Sequence, residues 1–328
     1  FFFLLMKAHY CIALLLLCMA CQQGSEKVNI TNTQDYNKYL STETSPSLHE
    51  IRQQNEYWSN RLGKDTSGVG DIGPLAATYE SLFEQTGKIE HLKSAENLYR
   101  KGVQIAAPQF KDGLERGLAH VLISQHRFKE AYELLTRSYK GVSSKQPTKL
   151  MLFDVSMELG YYDEAYEWLT KIKDLSDYNY LIRLSKWSDY KGDLDSAIKY
   201  MEMAMEKAEA RDSEPLRVWT YSNLGDYYGH AGYIEDAYDM YLKTLDIQPD
   251  KAYAKKGIAY IVYAAERNPE EAIRILDSIM KQNEAPDYNL LKSEIYIYQG
   301  KLDQAEAEVD LFLEKATALE YGNMYNTY

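Results

Sequence analysis

Tyr221-Ser222-Asn223-Leu224-Gly225-Asp226-Tyr227-Tyr228, followed by Gly232, Ala237, Tyr241 and Pro249, is the stretch on which the reading of the whole chain turns. Tyr221, Leu224 and Tyr228 recur at the three- and four-residue steps of one helical face. Gly232 then supplies a break that accepts a positive φ. A second helical run starts after it, with Ala237 and Tyr241 one turn apart on the same side, and Pro249 follows its end. A small side chain at Ala237 suits two helices crossing at close range, and a large one at Tyr241 fills the gap beside the crossing. The unit is helix, tight turn, helix.

The unit recurs along the chain. The small residue returns as Ala95, Ala131, Ala165, Ala197, Ala237, Ala272 and Ala305, at steps of 36, 34, 32, 40, 35 and 33 residues, a mean of 35. Each is followed four residues later by Tyr99, Leu135, Leu169, Met201, Tyr241, Leu276 or Val309. The turn glycine recurs as Gly87, Gly160, Gly192, Gly232 and Gly300, and copy two has His126 there. This pattern resembles the tetratricopeptide repeat (TPR), whose period is about 34 residues. The resemblance implies an all-α fold, a right-handed superhelix of about seven helix-turn-helix repeats over 73–328, each contacting mainly its neighbours. About three extra residues are expected in the inter-helix turns of copies one and six, near 88–91 and 266–269. The step of 40 places an extended second helix and loop at 203–214.

Flanking segments complete the organisation. Leu48, Ile51, Trp58 and Leu62 mark one amphipathic helix, followed by a glycine-rich hinge over 63–73, and the pair reads as a 48–72 element covering the first repeat. At the other end Val309, Leu311 and Phe312 have no polar capping helix after them, so that face is either a cap in itself or an interface. Residues 22–47, rich in Asn, Thr, Ser and Gln, read as a flexible tether that buries too little apolar surface to order itself.

All three cysteines, Cys11, Cys18 and Cys21, lie near the start, so the body of the chain has neither a disulfide nor a thiolate site. Residues 1–21 combine Lys7, the apolar run Ile12-Ala13-Leu14-Leu15-Leu16-Leu17 and a small-residue end, the pattern of a signal peptide, with Met6 as the plausible start. Cys18-Met19-Ala20-Cys21 resembles the lipobox of bacterial lipoproteins. It implies acylation at Cys21 and insertion of the lipid into a bilayer, with Gln22 directing the protein to the outer membrane, facing the periplasm.

With 37 Lys and Arg against 49 Asp and Glu, the net charge of −12 offers no basic face for nucleic acid. His49, His91, His120, His126 and His230 are scattered, and no nucleophile, phosphate-cradling or metal-ligating motif occurs, so no catalytic residue, cofactor or metal is expected. In the TPR resemblance the first helix of each repeat lines a concave groove. Carried onto this sequence, its groove positions include Arg116, His120, Lys186, Tyr190, Trp219, Ser222, Asp226, Glu294 and Tyr298. Aromatics mixed with a few charges suit an extended peptide or a partner helix. The expected function is therefore a lipid-anchored, non-enzymatic scaffold that binds an envelope protein. A glycan-binding outer-membrane lipoprotein, stacking sugars on exposed aromatics, is the alternative.

Overall fold

A computed structural model of the protein describes residues 29–40, 45–63, 68–141, 145–318 and 321–325. The leader and Cys21 lie outside the described residues. Every regular element among those described is helical. Helices α1 (Thr33–Leu40) and α2 (Pro46–Leu62) precede seven pairs: α3 (Val69–Thr86) with α4 (Ile89–Ile105), α5 (Pro108–Ser124) with α6 (Phe128–Tyr139), α7 (Gln146–Glu158) with α8 (Tyr162–Lys171), α9 (Tyr178–Tyr190) with α10 (Leu194–Ala210), α11 (Glu214–Ala231) with α12 (Ile234–Ile247), α13 (Ala252–Ala264) with α14 (Pro269–Met280), and α15 (Asp287–Tyr298) with α16 (Leu302–Ala318). A short 3-10 turn, Gly322–Tyr325, ends the described chain. None of these helices is long and apolar enough to cross a membrane.

The seven pairs are the seven copies read from the sequence, and each of their seven central alanines is buried. Gly87, Gly160, Gly192, Gly232 and Gly300 all adopt φ between 70° and 80°, the left-handed conformation that ends a helix most cheaply in glycine. His126 and Arg267 take the same conformation without being glycine, at 56° and 55°. The residue after the turn then donates its amide to a carbonyl five residues back, as Tyr161 does to Ser156 (2.8 Å) and Tyr233 to Tyr228 (2.9 Å). Arg267 stands five residues before Ala272, as Gly160 stands before Ala165, so the expected insertion between turn and alanine is absent from copy six. In copy one the turn is short too, and the extra residues lengthen α4 at its N-terminal end. The step of 40 is taken up as expected, by the 17-residue α10 and the loop that follows.

Tyrosines on second helices lock consecutive repeats. A Cβ added to Gly117 would fall 2.3 Å from the Tyr99 ring, and one added to Gly257 2.4 Å from the Tyr241 ring. The rings pack against backbone that only glycine leaves uncovered, which is why an α5 or α13 glycine follows the tyrosine-bearing helix.

Two expectations about the ends need correction. The region read as a tether contains α1, and Tyr36 and Tyr39 are buried against α12 and α14. The polar residues hide this because their partners lie far along the chain. Glu266 accepts amide hydrogens from Ile30 (2.8 Å) and Thr31, and the Tyr36 hydroxyl donates to Glu271 at 2.7 Å. Ser45, the N-cap of α2, and Ser47 are both held by the buried Asp250. The second correction concerns the hinge, since α3 begins at Val69 and takes Gly70, Gly73 and Pro74 into a helix. The Arg61–Asp71 ion pair (2.8 Å) and the Asn55–Thr78 hydrogen bond (2.8 Å) fix α2 on that helix.

The superhelix comes round to meet itself. Thr86, at the end of the first helix of copy one, accepts a backbone hydrogen bond from Glu284 in the loop between copies six and seven (2.9 Å). The buried Asn283 donates to the carbonyls of Glu84 (3.3 Å) and Gln85 (3.1 Å), Lys88 pairs with Glu284 at 3.2 Å, and Lys251 pairs with Glu84. The Tyr321 hydroxyl donates to the Gly87 carbonyl at 2.5 Å. Tyr321 is itself buried in the core of the first two repeats, and Phe312 is covered edge-on by Tyr325. The segment after α16 thus covers Phe312 and seats Tyr321 in this chain's own first repeat, while Leu311 is left 43% exposed.

Candidate functional site

First helices of the last three repeats line a cavity of about 660 Å³ between α11, α13 and α15. Its floor is the Tyr241 ring beneath Gly257, and Tyr253 and Tyr260 stand on its wall, 48% and 53% exposed. Asp226 on α11 accepts the hydroxyl hydrogens of Tyr241 (2.7 Å) and Tyr253. Burial and the adjacent Asp226 carboxylate hold the Tyr241 phenol far above its ordinary pKa, so it stays protonated and remains a donor to Asp226. Glu294 on α15 lies exposed on the same cavity, and Lys256 is paired with Asp287 at 2.7 Å.

A second cavity of about 420 Å³ lies where the superhelix closes. Phe83, Glu84 and Gly87 of copy one face Trp219, Asn223 and Tyr288 across it, and Tyr253 is shared with the larger cavity.

The nine groove residues expected from sequence do not form one site. Asp226 and Glu294 meet at the larger cavity, and Trp219, 43% exposed, lines the smaller one. Ser222 borders that second cavity, but it is buried and its hydroxyl donates to the Val218 carbonyl at 2.8 Å, the usual fate of a helical serine, so it presents no donor to a partner. Tyr190 stacks on Tyr162 with ring centroids 4.0 Å apart and leans on Trp187, an aromatic cluster at the rim. Lys186 is paired with Glu158 at 2.6 Å. His120 is bound to Glu80, which also accepts the Tyr99 hydroxyl at 3.1 Å. Tyr298 packs edge-on against Tyr263 beyond the larger cavity, and Arg116, half-buried on α5, lines neither cavity. Tyr253 and Tyr260 were not among the expected positions. Their seven-residue spacing on one helix is the signal that marks a shared face.

Among the described residues no group of three His, Cys, Asp or Glu side chains is placed to hold a metal ion. No family model matches the chain, and no curated protein matches its sequence. Solved structures do resemble it. The Cut9–Hcn1 hetero-tetramer of APC/C aligns with a TM-score of 0.53 at 19% identity, over 79% of this chain and 46% of that one. The human IFIT1 dimer with PPP-AAAA aligns with a TM-score of 0.55 at 14% identity, over 81% of this chain and 69% of that one. A tetratricopeptide repeat protein from Parabacteroides merdae aligns at 16% identity with a TM-score of 0.49, over 76% and 94%. The chain thus spans about half the length of the first of these.

Proposed function

From a tetratricopeptide-repeat superhelix as premise, we propose that the protein is a non-catalytic scaffold that seats a segment of a protein partner on its inner helices, at the bacterial envelope. The observation that carries this reading is the cavity between α11, α13 and α15, where two half-exposed tyrosines stand over an apolar floor. Such rings offer large contact area at low entropic cost and are favoured at the centres of interfaces. A cavity of this size admits a few side chains of an extended peptide or helix and not a whole folded surface. Human IFIT1 holds PPP-AAAA, but the carboxylates of Asp226, Asp287 and Glu294 here oppose an anionic ligand. The lipobox-like Cys18-Met19-Ala20-Cys21 supports attachment to a bilayer through acylated Cys21, with outer-membrane placement following from Gln22.

Photo-crosslinking in intact cells tests the scaffold. A photoreactive residue at Tyr260 or Trp219 yields one dominant protein adduct, and one at Tyr57 on α2 does not. Absence of any protein adduct from the inner positions overturns the reading. The rim cluster of Tyr162, Trp187 and Tyr190 favours glycan stacking as the second reading, which predicts tryptophan fluorescence changes on titration with polysaccharides instead. Anchoring has its own check: labelled palmitate enters the protein and is lost in Cys21→Ala.

A further inference from the structure

Resting on the reading that the inner helices take a protein segment, we infer that the segment seated between α11, α13 and α15 is cationic, with a Lys or Arg side chain placed between Asp226 and Glu294. Three carboxylates line the cavity against a single lysine, Lys256, and Asp287 neutralises that lysine at 2.7 Å. Asp226 receives hydrogen bonds from two tyrosines, which stabilise its charge without cancelling it. Among the described residues no Lys or Arg forms an ion pair with Asp226 or Glu294, and besides Lys256 the lining side chain able to carry positive charge is His230. Two carboxylates thus face one cavity uncompensated, in a chain whose net charge is −12. Beside apolar walls their field is less screened than on an open surface, so it selects and steers a cation.

The walls fit the rest of such a side chain. Ile261, Leu290 and Leu291 offer an apolar surface for the methylene stem of Lys or Arg. Tyr253 and Tyr260 expose rings to which a cationic head is attracted. Gly229 completes the opening: a Cβ added there meets nothing within 4 Å, and the backbone is ordinary helix. That position takes a larger side chain without disturbing the fold, which provides a plug.

A phage-displayed random heptapeptide library, selected on the immobilised full chain, reads the chemistry directly. The expected result is enrichment of peptides bearing Lys or Arg beside an aromatic or aliphatic residue, with binding that weakens as salt is raised. Gly229→Trp abolishes their binding while Gly229→Ala retains it, both variants keeping the wild-type circular dichroism. Glu294→Gln weakens the selected peptide by roughly fivefold, the loss of one partly solvated charge pair. Enriched peptides that are neutral or acidic, or whose binding survives Gly229→Trp, overturn the cationic assignment and leave the scaffold reading intact. No enrichment overturns the cationic assignment as well, and the crosslink from Tyr260 in cells then decides separately whether the scaffold reading stands.

Discussion

Gly87 and Ala285 touch through their backbones: a Cβ on Gly87 would lie 2.5 Å from the Ala285 nitrogen, and the glycine holds φ +70°. Two demands coincide here, a helix end that needs a left-handed residue and a closure that leaves no room for a side chain. Gly232 holds φ +80° with nothing within 4 Å of its would-be Cβ, so it carries the first demand alone. Gly87→Ala should therefore cost about 2 kcal/mol more than Gly232→Ala, whose own cost is about 1 kcal/mol. Urea unfolding of the two variants measures the difference, and small-angle scattering should show a larger radius of gyration for Gly87→Ala only. Equal stability loss and equal dimensions would show that the contact between copies one and six does not hold the ring.

The Tyr241 ring is bracketed by glycines of two repeats, 2.8 Å from a would-be Gly225 Cβ and 2.4 Å from that of Gly257. Gly257→Ala overpacks this site and should destabilise by about 1–3 kcal/mol, despite the better helix propensity of alanine. In Tyr241→Leu the ring is gone, so adding Gly257→Ala to it should cost little or stabilise. A double-mutant cycle by thermal unfolding yields the coupling; strict additivity would mean that the ring moves aside freely.

Much of this architecture was legible because it is local. The central alanines, the large residue one turn later and the turn glycines act within a single helix pair, and their spacing alone brought seven repeats into register. Once that register is known, His126 and Arg267 can be recognised as turn residues in glycine-like conformations. Asp226 and Glu294 were reached in the same way. Tyr253 and Tyr260 were not, although their seven-residue spacing on one helix marks a shared face. The closure and the N-terminal strap were illegible for a different reason. Thr86 with Glu284, or Thr31 with Glu266, pair across some two hundred residues through ordinary polar groups that give no periodic signal. The three- and four-residue steps from Tyr36 to Tyr39 and Leu40 were the sign that residues 29–40 had an apolar face.

That strap offers a prediction opposite to a tether's. Tyr36 is 1% exposed and anchors α1 beside Glu271. Tyr36→Ala removes a buried aromatic at about 3–5 kcal/mol, which exceeds what a short helix supplies by itself. Limited proteolysis should then cut within 29–40 at early times, with the superhelical core remaining intact and the far-ultraviolet circular dichroism nearly unchanged. Tyr36→Phe, which loses only the hydroxyl bond, should resist much better. Rapid cleavage of the wild-type chain at the same sites would restore the tether.

Two histidines provide the pH test, with opposite signs. His120 lies on the surface with its ring against the Glu80 carboxylate, and that hydrogen bond raises its pKa above the ordinary value of 6.5. His91 is partly buried beside Tyr79, and burial lowers its pKa below that value. For His120 the folded state binds the proton more tightly than the unfolded chain. Its stabilising contribution is complete below the unfolded pKa and disappears as pH rises through the folded one. For His91 the unfolded chain protonates first, so a destabilising contribution develops as pH falls below about 6.5 and is complete below the folded pKa. Because His120 is exposed, the midpoints and not the stability are the sharper observable. Imidazole resonances followed by NMR from pH 4 to 9 should titrate on either side of 6.5, and Glu80→Gln should bring His120 back towards 6.5 while His91 stays where it was. A His120 midpoint indifferent to Glu80→Gln would mean that the carboxylate does not face the ring in solution.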